Sequence, residues 1–455
     1  MRIPALCFSL ITTCVFAADW PPPLRGIEDG RATIETDDFL RVPASVEARR
    51  KEKDVAAFEV ARTAPRVELA FHDQLGPDAA SRRLWSSWGD IGVAGNGRVY
   101  CAIGDHGNDM GGDARCFLYQ WDPAKHQLSQ IVDMGKVVPP KEGQPAWSKV
   151  HAKIDEGADG KIYFSCTLNG GQKAGDPKYG FNDSLPGGQI YRFDPVSGRT
   201  EVFANLPPRR CTATSLLDRG RNIWWCNLEA GKGDALFGID LATKKVVHQG
   251  EDGSVGFNRA FTLLRDGRVL CNGATSFQVL DPASGKMQPL QASAAGSPGM
   301  RSATRESRAG HVFGVMQTTH HLFDCDVTKD EFKLLGPGWL AGEYTAVCEL
   351  SPDERYLYYL PGSHGRAWQS GTPVIQFEIA TGRRKVLAFL APAIESRTDF
   401  VPGGTYGMKV SADGSTLYVN FNGHAADGIR PAKMKPIGFG LTAFAAIHIP
   451  ESERK

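Results

Sequence analysis

The sequence predicts an all-β fold: a closed ring of seven four-stranded antiparallel blades, with a short N-terminal helix and arm. Three observations predict it. The first is a turn that recurs between β-patterned runs: GNGR (95–98), ADGK (158–161), DRGR (218–221), RDGR (265–268), RAGH (308–311), PDER (352–355) and ADGS (412–415). From Gly97 to Gly414 these turns fall about 53 residues apart, a period of repeat architectures. The second is the strand after each turn, such as RVYCAIG, KIYFSCT and NIWWCNL. Aromatic and β-branched runs bounded by turn residues read as strands. The third is an interleaved set of acidic-led turns: DPAK (122–125), DPVSG (194–198), DLATK (240–244), DPASG (281–285), DVTKD (326–330) and EIATG (378–382). Each separates two further strands.

Every unit therefore reads as strand A, turn, strand B, loop, strand C, turn, strand D. In period and strand count it resembles the blade of a β-propeller. The seventh unit has A and B over 406–421 and C near 441–449, after which the chain ends. The β-patterned run 67–73 is expected to supply its missing strand and close the ring, so that the propeller spans 67–455. Closure leaves no exposed edge at that seam. Ahead of it, 46–62 is charged and Ala-rich and predicts one peripheral helix, with Ser45 as N-cap. Residues 18–44 predict an irregular, Pro-rich arm.

Residues 1–17 have the pattern of a secretory signal: Arg2, an apolar stretch from Ala5 to Phe16, and small Val15 and Ala17 before a cleavage point. A secreted or periplasmic protein is expected. No later apolar run is long enough for a membrane span after signal cleavage. Eight cysteines then remain, too few for a disulfide scaffold, and they read mainly as small buried hydrophobes. With 51 Gly and 28 Pro in 455 residues, the composition suits many tight turns. The net charge of +1 gives no electrostatic basis for binding nucleic acid. A monomer with a carbohydrate or other small ligand at its channel mouth is expected.

The blade order places all A–B and C–D turns on one face, and the D–A linkers and B–C loops on the other. The long irregular segments are 104–115, 135–150, 167–188, 251–259, 361–373, 391–405 and 422–438, and all belong to the second face. Irregular loops on a rigid scaffold are the usual home of a binding site. His106, His364 and His424 follow B strands there, and His151 opens the second A strand. Tyr344 and Tyr406 begin the sixth and seventh A strands, Arg259 and Arg301 the fourth and fifth, and Arg209 and Arg210 precede the third. The arginines are candidates to hold an anionic substrate. His106, His151, Tyr344 and Tyr406 are candidate catalytic groups, and His364 and His424 candidate substrate contacts. Trp147 and Trp339 are candidate sugar-stacking anchors, with Trp85 and Trp368 nearby. Two weaker signals concern metals: Asp105, Asp109 and Asp113 in a Gly-rich loop, and Gln317-Thr-Thr-His320-His321. No cofactor is assigned, and a divalent metal is an open alternative.

Over residues 67 to about 450 the strand–turn motifs, such as HAKIDEGADGKIYF (151–164), resemble exported bacterial seven-bladed propellers. Within that class the chain resembles propeller polysaccharide lyases of the ulvan-lyase and oligogalacturonide-lyase groups. The resemblance implies β-elimination on an acidic polysaccharide, with His or Tyr abstracting a proton beside the uronate carboxylate while Arg or a metal neutralises it. Ulvan-type lyases look to use one His opening an A strand and a second closing the next B strand. His106 fits the second place, Trp85 and Ser86 occupy the first, and His151 stands one blade on. The oligogalacturonide-lyase metal pattern resembles Q-x-x-H-x-H; Gln317 and His320 fit, and His321 falls one position early. Two alternatives stay open. One is a non-catalytic glycan- or protein-binding propeller. The other is a metal-dependent lactonase-like hydrolase with Glu343, Asn169, Asn227 and Asn422 as ligands.

Overall fold

The computed structural model describes residues 23–52, 54–73, 85–89, 91–105, 115–139, 147–168, 187–229, 233–290, 299–340, 343–429 and 438–455. The segment 1–17 read as a secretory signal, and His106, Asp109, Asp113 and Asn169, lie outside the described residues.

The described strands form seven sheets, each built on four antiparallel strands, in chain order in six of them. The third blade is representative: Cys211–Asp218, Ile223–Glu229, Ala235–Asp240 and Val246–Gln249. Its first turn, DRGR, is closed by Asp218, whose Oδ1 accepts from the Arg221 N–H at 2.9 Å. Acidic-led turns work the same way in the C–D position, where Asp240 Oδ1 accepts from the Ala242 N–H at 2.9 Å. A short acceptor side chain that bonds its own backbone two or three residues on is the physical basis of both repeated motifs.

The last blade joins the chain's two ends. Phe400–Val410, Thr416–Ala425 and Leu441–His448 pair in order. Arg66–Phe71 then pairs antiparallel with Leu441–His448, setting Val67 opposite Ile447 and Leu69 opposite Ala445. Trp121 of the first blade packs on Phe444 of the last with ring centroids 5.1 Å apart. Across the same seam Asn420 Nδ2 donates to the Ala102 carbonyl at 3.0 Å. The inner strands of the first two blades approach so closely that a Cβ at Gly92 would sit 1.7 Å from the Ile154 carbonyl oxygen.

The N-terminal arm departs from expectation twice. The segment read as irregular contains a strand, Arg31–Ile34, which pairs with Arg66–Phe71 as a fifth strand of the last blade. The helix expected over 46–62 is only Ala44–Arg49, preceded by Pro43; Ser45 lies inside it and donates to the Gln369 carbonyl at 2.8 Å. Asp54 adopts φ 65°, and Glu59–Val60 pairs in parallel with Lys385–Val386 of the sixth blade. Phe58 settles against Trp339 at 4.9 Å and Phe389 at 6.3 Å. Tertiary pairing and apolar burial at that sheet edge override the local helix propensity. A third difference is Leu390–Thr398, a helix where an irregular loop was expected.

The eight cysteines from Cys101 to Cys348 are buried free thiols. Cys101, Cys166, Cys226 and Cys271 occupy B strands of the first four blades, where they pack as small hydrophobes. Among the described residues no helix is long and apolar enough to cross a membrane.

Candidate functional site

The inner strands enclose a cavity of about 390 Å³. Its mouth lies where those strands begin, the face reached by linkers and B–C loops. Trp88, His151, Arg259, Arg301, Tyr344 and Tyr406 line it there, with His364 at the rim. Five blades supply these side chains, and a sixth is represented by Trp88 on the linker into the first. Six residues singled out in the sequence thus converge: His151, Arg259, Arg301, Tyr344, His364 and Tyr406.

They form two groups. In the first, Tyr406 Oη lies 2.9 Å from His364 Nδ1. Burial and the Arg301 charge hold His364 below the usual histidine range, so its neutral ring accepts and the phenol donates. Burial, reinforced by Tyr344, pushes the Tyr406 phenol well above its ordinary value, so it keeps its proton at neutral pH. Arg301 Nε donates to Tyr344 Oη. The Arg301 guanidinium lies 5.1 Å from the Tyr344 ring centre and 5.8 Å from that of Tyr406. Cation–π attraction holds it between the two phenols.

In the second group, Arg259 donates to His151 Nδ1 at 2.7 Å and to the Ala213 carbonyl at 3.3 Å. His151 does not lie in a strand; it follows Trp147–Val150, in the break before Asp155–Glu156. Burial, then Arg259 and Lys149, hold it far below the histidine range. Its Nδ1 lone pair is engaged by Arg259, so His151 orients a guanidinium and has no free lone pair on Nδ1 for a base. Behind Arg259 stands Glu229, 3.4 Å from its guanidinium. Burial alone would raise that carboxyl; the Arg259 charge, with Lys149 beyond it, outweighs burial and brings it to about 2.

Trp88 in the cavity lining and Glu229 behind it had no sequence signal. Glu229 closes a B strand as one acidic residue among many. Trp88 stacks on Tyr406 with centroids 4.8 Å apart, and Lys149 lies 5.0 Å above its ring. Its sequence neighbour Trp85 is wholly buried; only the break between them decides which faces the cavity.

Several candidates go elsewhere. Arg210 is buried against Asp252 and the Gly233 carbonyl, and Arg209 is exposed outside the cavity lining. His424 is buried beside Trp368, with ring centroids 5.8 Å apart. Trp147 and Trp339 are buried in interblade core, which corrects their reading as stacking platforms: neither offers an open ring face. His320 packs edge-on to Tyr344 at 5.7 Å. Asp105 is buried and accepts from the Arg115 N–H at 2.9 Å.

A divalent metal does not fit what is described. Asn422 is spent on the Ser87 backbone, Asn227 Nδ2 donates to the Asn258 carbonyl at 3.0 Å, and Glu343 lies 3.8 Å from Arg49. None of the three lines the cavity. Among the described residues no three His, Cys, Asp or Glu side chains are grouped to hold a metal ion.

No family model and no curated protein matches the sequence. Among solved structures, a chain from the crystal structure of a mitotic checkpoint complex is similar. The TM-score is 0.52 at 12% identity, over 87% of this chain and 98% of that one. Likeness at that identity is likeness of fold, and function must be argued from the site.

Proposed function

We propose that this chain is an exported β-propeller acting on carbohydrate: it holds a uronate-containing glycan at the channel mouth and cleaves it by β-elimination. Arg301 carries the reading. Its side chain lines the cavity at only 8% exposure, and among the described residues no carboxylate lies within ion-pair distance of it. Arginine stays charged at every relevant pH. A buried guanidinium without a counter-ion is costly, and a ligand carboxylate supplies the missing charge.

The neighbouring groups suit proton transfer. Withdrawing charge through Arg301 acidifies the proton beside the uronate carboxylate. Tyr406 takes that proton as its own passes to His364, the C4–C5 double bond forms, and the C4–O bond breaks. Tyr344, whose oxygen accepts from Arg301, gives its proton to the leaving oxygen. Atoms balance without an added reagent. Export is supported by the leader pattern at 1–17 alone.

The test is incubation with uronate-containing polysaccharides while following the absorbance of the unsaturated product. No product from any polymer overturns the reading. The raised Tyr406 phenol favours one second reading, a glycan-binding mouth without turnover. Saturable binding with no unsaturated product would select it.

A further inference from the structure

We infer that the mouth accepts one carboxylate, on Arg301, and that Glu229 is the specificity-determining residue that keeps it to one. The inference rests on the reading of the mouth as a uronate site and names the charge class that it selects.

Arg259 and Arg301 begin the inner strands of adjacent blades and line one cavity, yet they stand in opposite company. Arg259 has the buried carboxylate of Glu229 at 3.4 Å behind it. Lys149, buried with its ammonium over the Trp88 ring, and Asp234, whose charge interacts with Arg259 and Arg210, stand outside the cavity lining on that side. The other half holds Arg301 with a tyrosine hydroxyl and two aromatic rings. Among the described residues Arg301 therefore lines the cavity with no carboxylate partner, and a ligand bearing a single negative charge neutralises it.

A sulfate or phosphate ester needs more. Its oxygens would be held best by both guanidiniums together. Glu229 already occupies Arg259 from behind and repels a second anionic group in front. Specificity commonly comes from such a repulsive element as much as from the attractive one. The selected class is an unsulfated, unphosphorylated uronate.

The pair Glu229–Arg259 is also predicted to act as a unit. Removing Arg259 alone exposes a buried carboxylate to the ligand; removing both members restores neutrality.

Calorimetric titration of the full chain with D-galacturonate and with inorganic sulfate at fixed ionic strength tests this. The wild-type protein is expected to bind galacturonate in preference to sulfate. Arg301→Gln should weaken galacturonate by about tenfold or more. Glu229→Gln should shift the preference toward sulfate by about tenfold. The double variant Glu229→Gln/Arg259→Gln should keep galacturonate affinity within about threefold of wild type. It also serves if Glu229→Gln alone does not fold. An unchanged preference in Glu229→Gln, a double variant as weak as Arg301→Gln, or a wild type that binds neither anion overturns the inference. A wild type that binds galacturonate with the expected preference but yields no unsaturated product overturns the elimination and leaves this inference standing.

Discussion

At the mouth of the central cavity, Arg301 is buried with a tyrosine hydroxyl as its hydrogen-bond partner. At the floor, where the inner strands end, Lys409 Nζ lies 2.7 Å from Glu349, with Asp155 lining the same end. Both ends place a cation among A-strand residues. The floor cation has a carboxylate partner within the chain; among the described residues Arg301 at the mouth has none. Charges compensated internally hold a scaffold together; a buried charge left over is where a ligand can contribute binding energy. On the proposed reading chemistry belongs to one end and stability to the other, and each half can be broken separately.

The largest expected effect is at the mouth. Tyr406→Phe removes the hydroxyl bonded to His364 and leaves the ring stacked on Trp88. Elimination activity should fall by about 10²- to 10⁴-fold, the usual contribution of a placed proton-transfer group. The thermal midpoint should move little, since the buried ring is kept. Product-formation rates and a thermal melt on the same preparation check both halves. A variant that melts early while turning over normally would reverse the assignment.

A smaller effect is expected at the floor. Glu349→Ala leaves Lys409 with only Asp155 nearby. The two partners are 27% and 22% exposed, so the cost is that of a half-screened pair, about 1–2 kcal/mol. Urea unfolding measures it. Activity per folded molecule should be retained, because the floor touches no reacting group. A loss of turnover at unchanged stability would place chemistry at both ends.

The contrast also explains what the sequence disclosed. Turn chemistry and strand patterning are local, and they disclosed the blades, since Asp218 and Asp240 close their turns with their own side chains. Convergence at the mouth was legible because an A strand recurs once per blade, and His151, Arg259, Arg301, Tyr344 and Tyr406 each lie in or beside one. Charge compensation was not legible. Nothing in the sequence says that Glu229 stands behind Arg259, or that Arg210 is spent on Asp252. Ring exposure was equally hidden: Trp339 and Trp88 both sit in linkers, and only packing decides that one is core and the other lines the cavity. The arm has the local pattern of a longer helix, but its partner is a sheet edge more than three hundred residues away.

The subtlest difference between the two ends is in their response to pH. Burial raises the Asp155 carboxyl to about 6, and Lys409 and Lys153 only partly offset it. The folded chain therefore binds this proton more tightly than the unfolded one does. Its contribution to stability is whole below the unfolded value near 3.8 and is lost as pH rises through about 6. His72 acts in the opposite sense. It is buried beside Thr442 at the ring-closing strand, its value is lowered to about 4, and its contribution is lost as pH falls from 6.5 toward 4. The wild-type pH profile thus sums opposing slopes and cannot isolate either one. Asp155→Asn can. It keeps an acceptor for the Leu217 N–H, now 3.1 Å from Asp155 Oδ2, and removes only the titration. Unfolding free energy of the variant minus that of wild type should rise by about 1–2 kcal/mol between pH 4 and 6.5, with His72 cancelling in the difference. A flat difference would mean that Lys409 already holds Asp155 ionised, and that the floor is compensated as a triad and not as a pair.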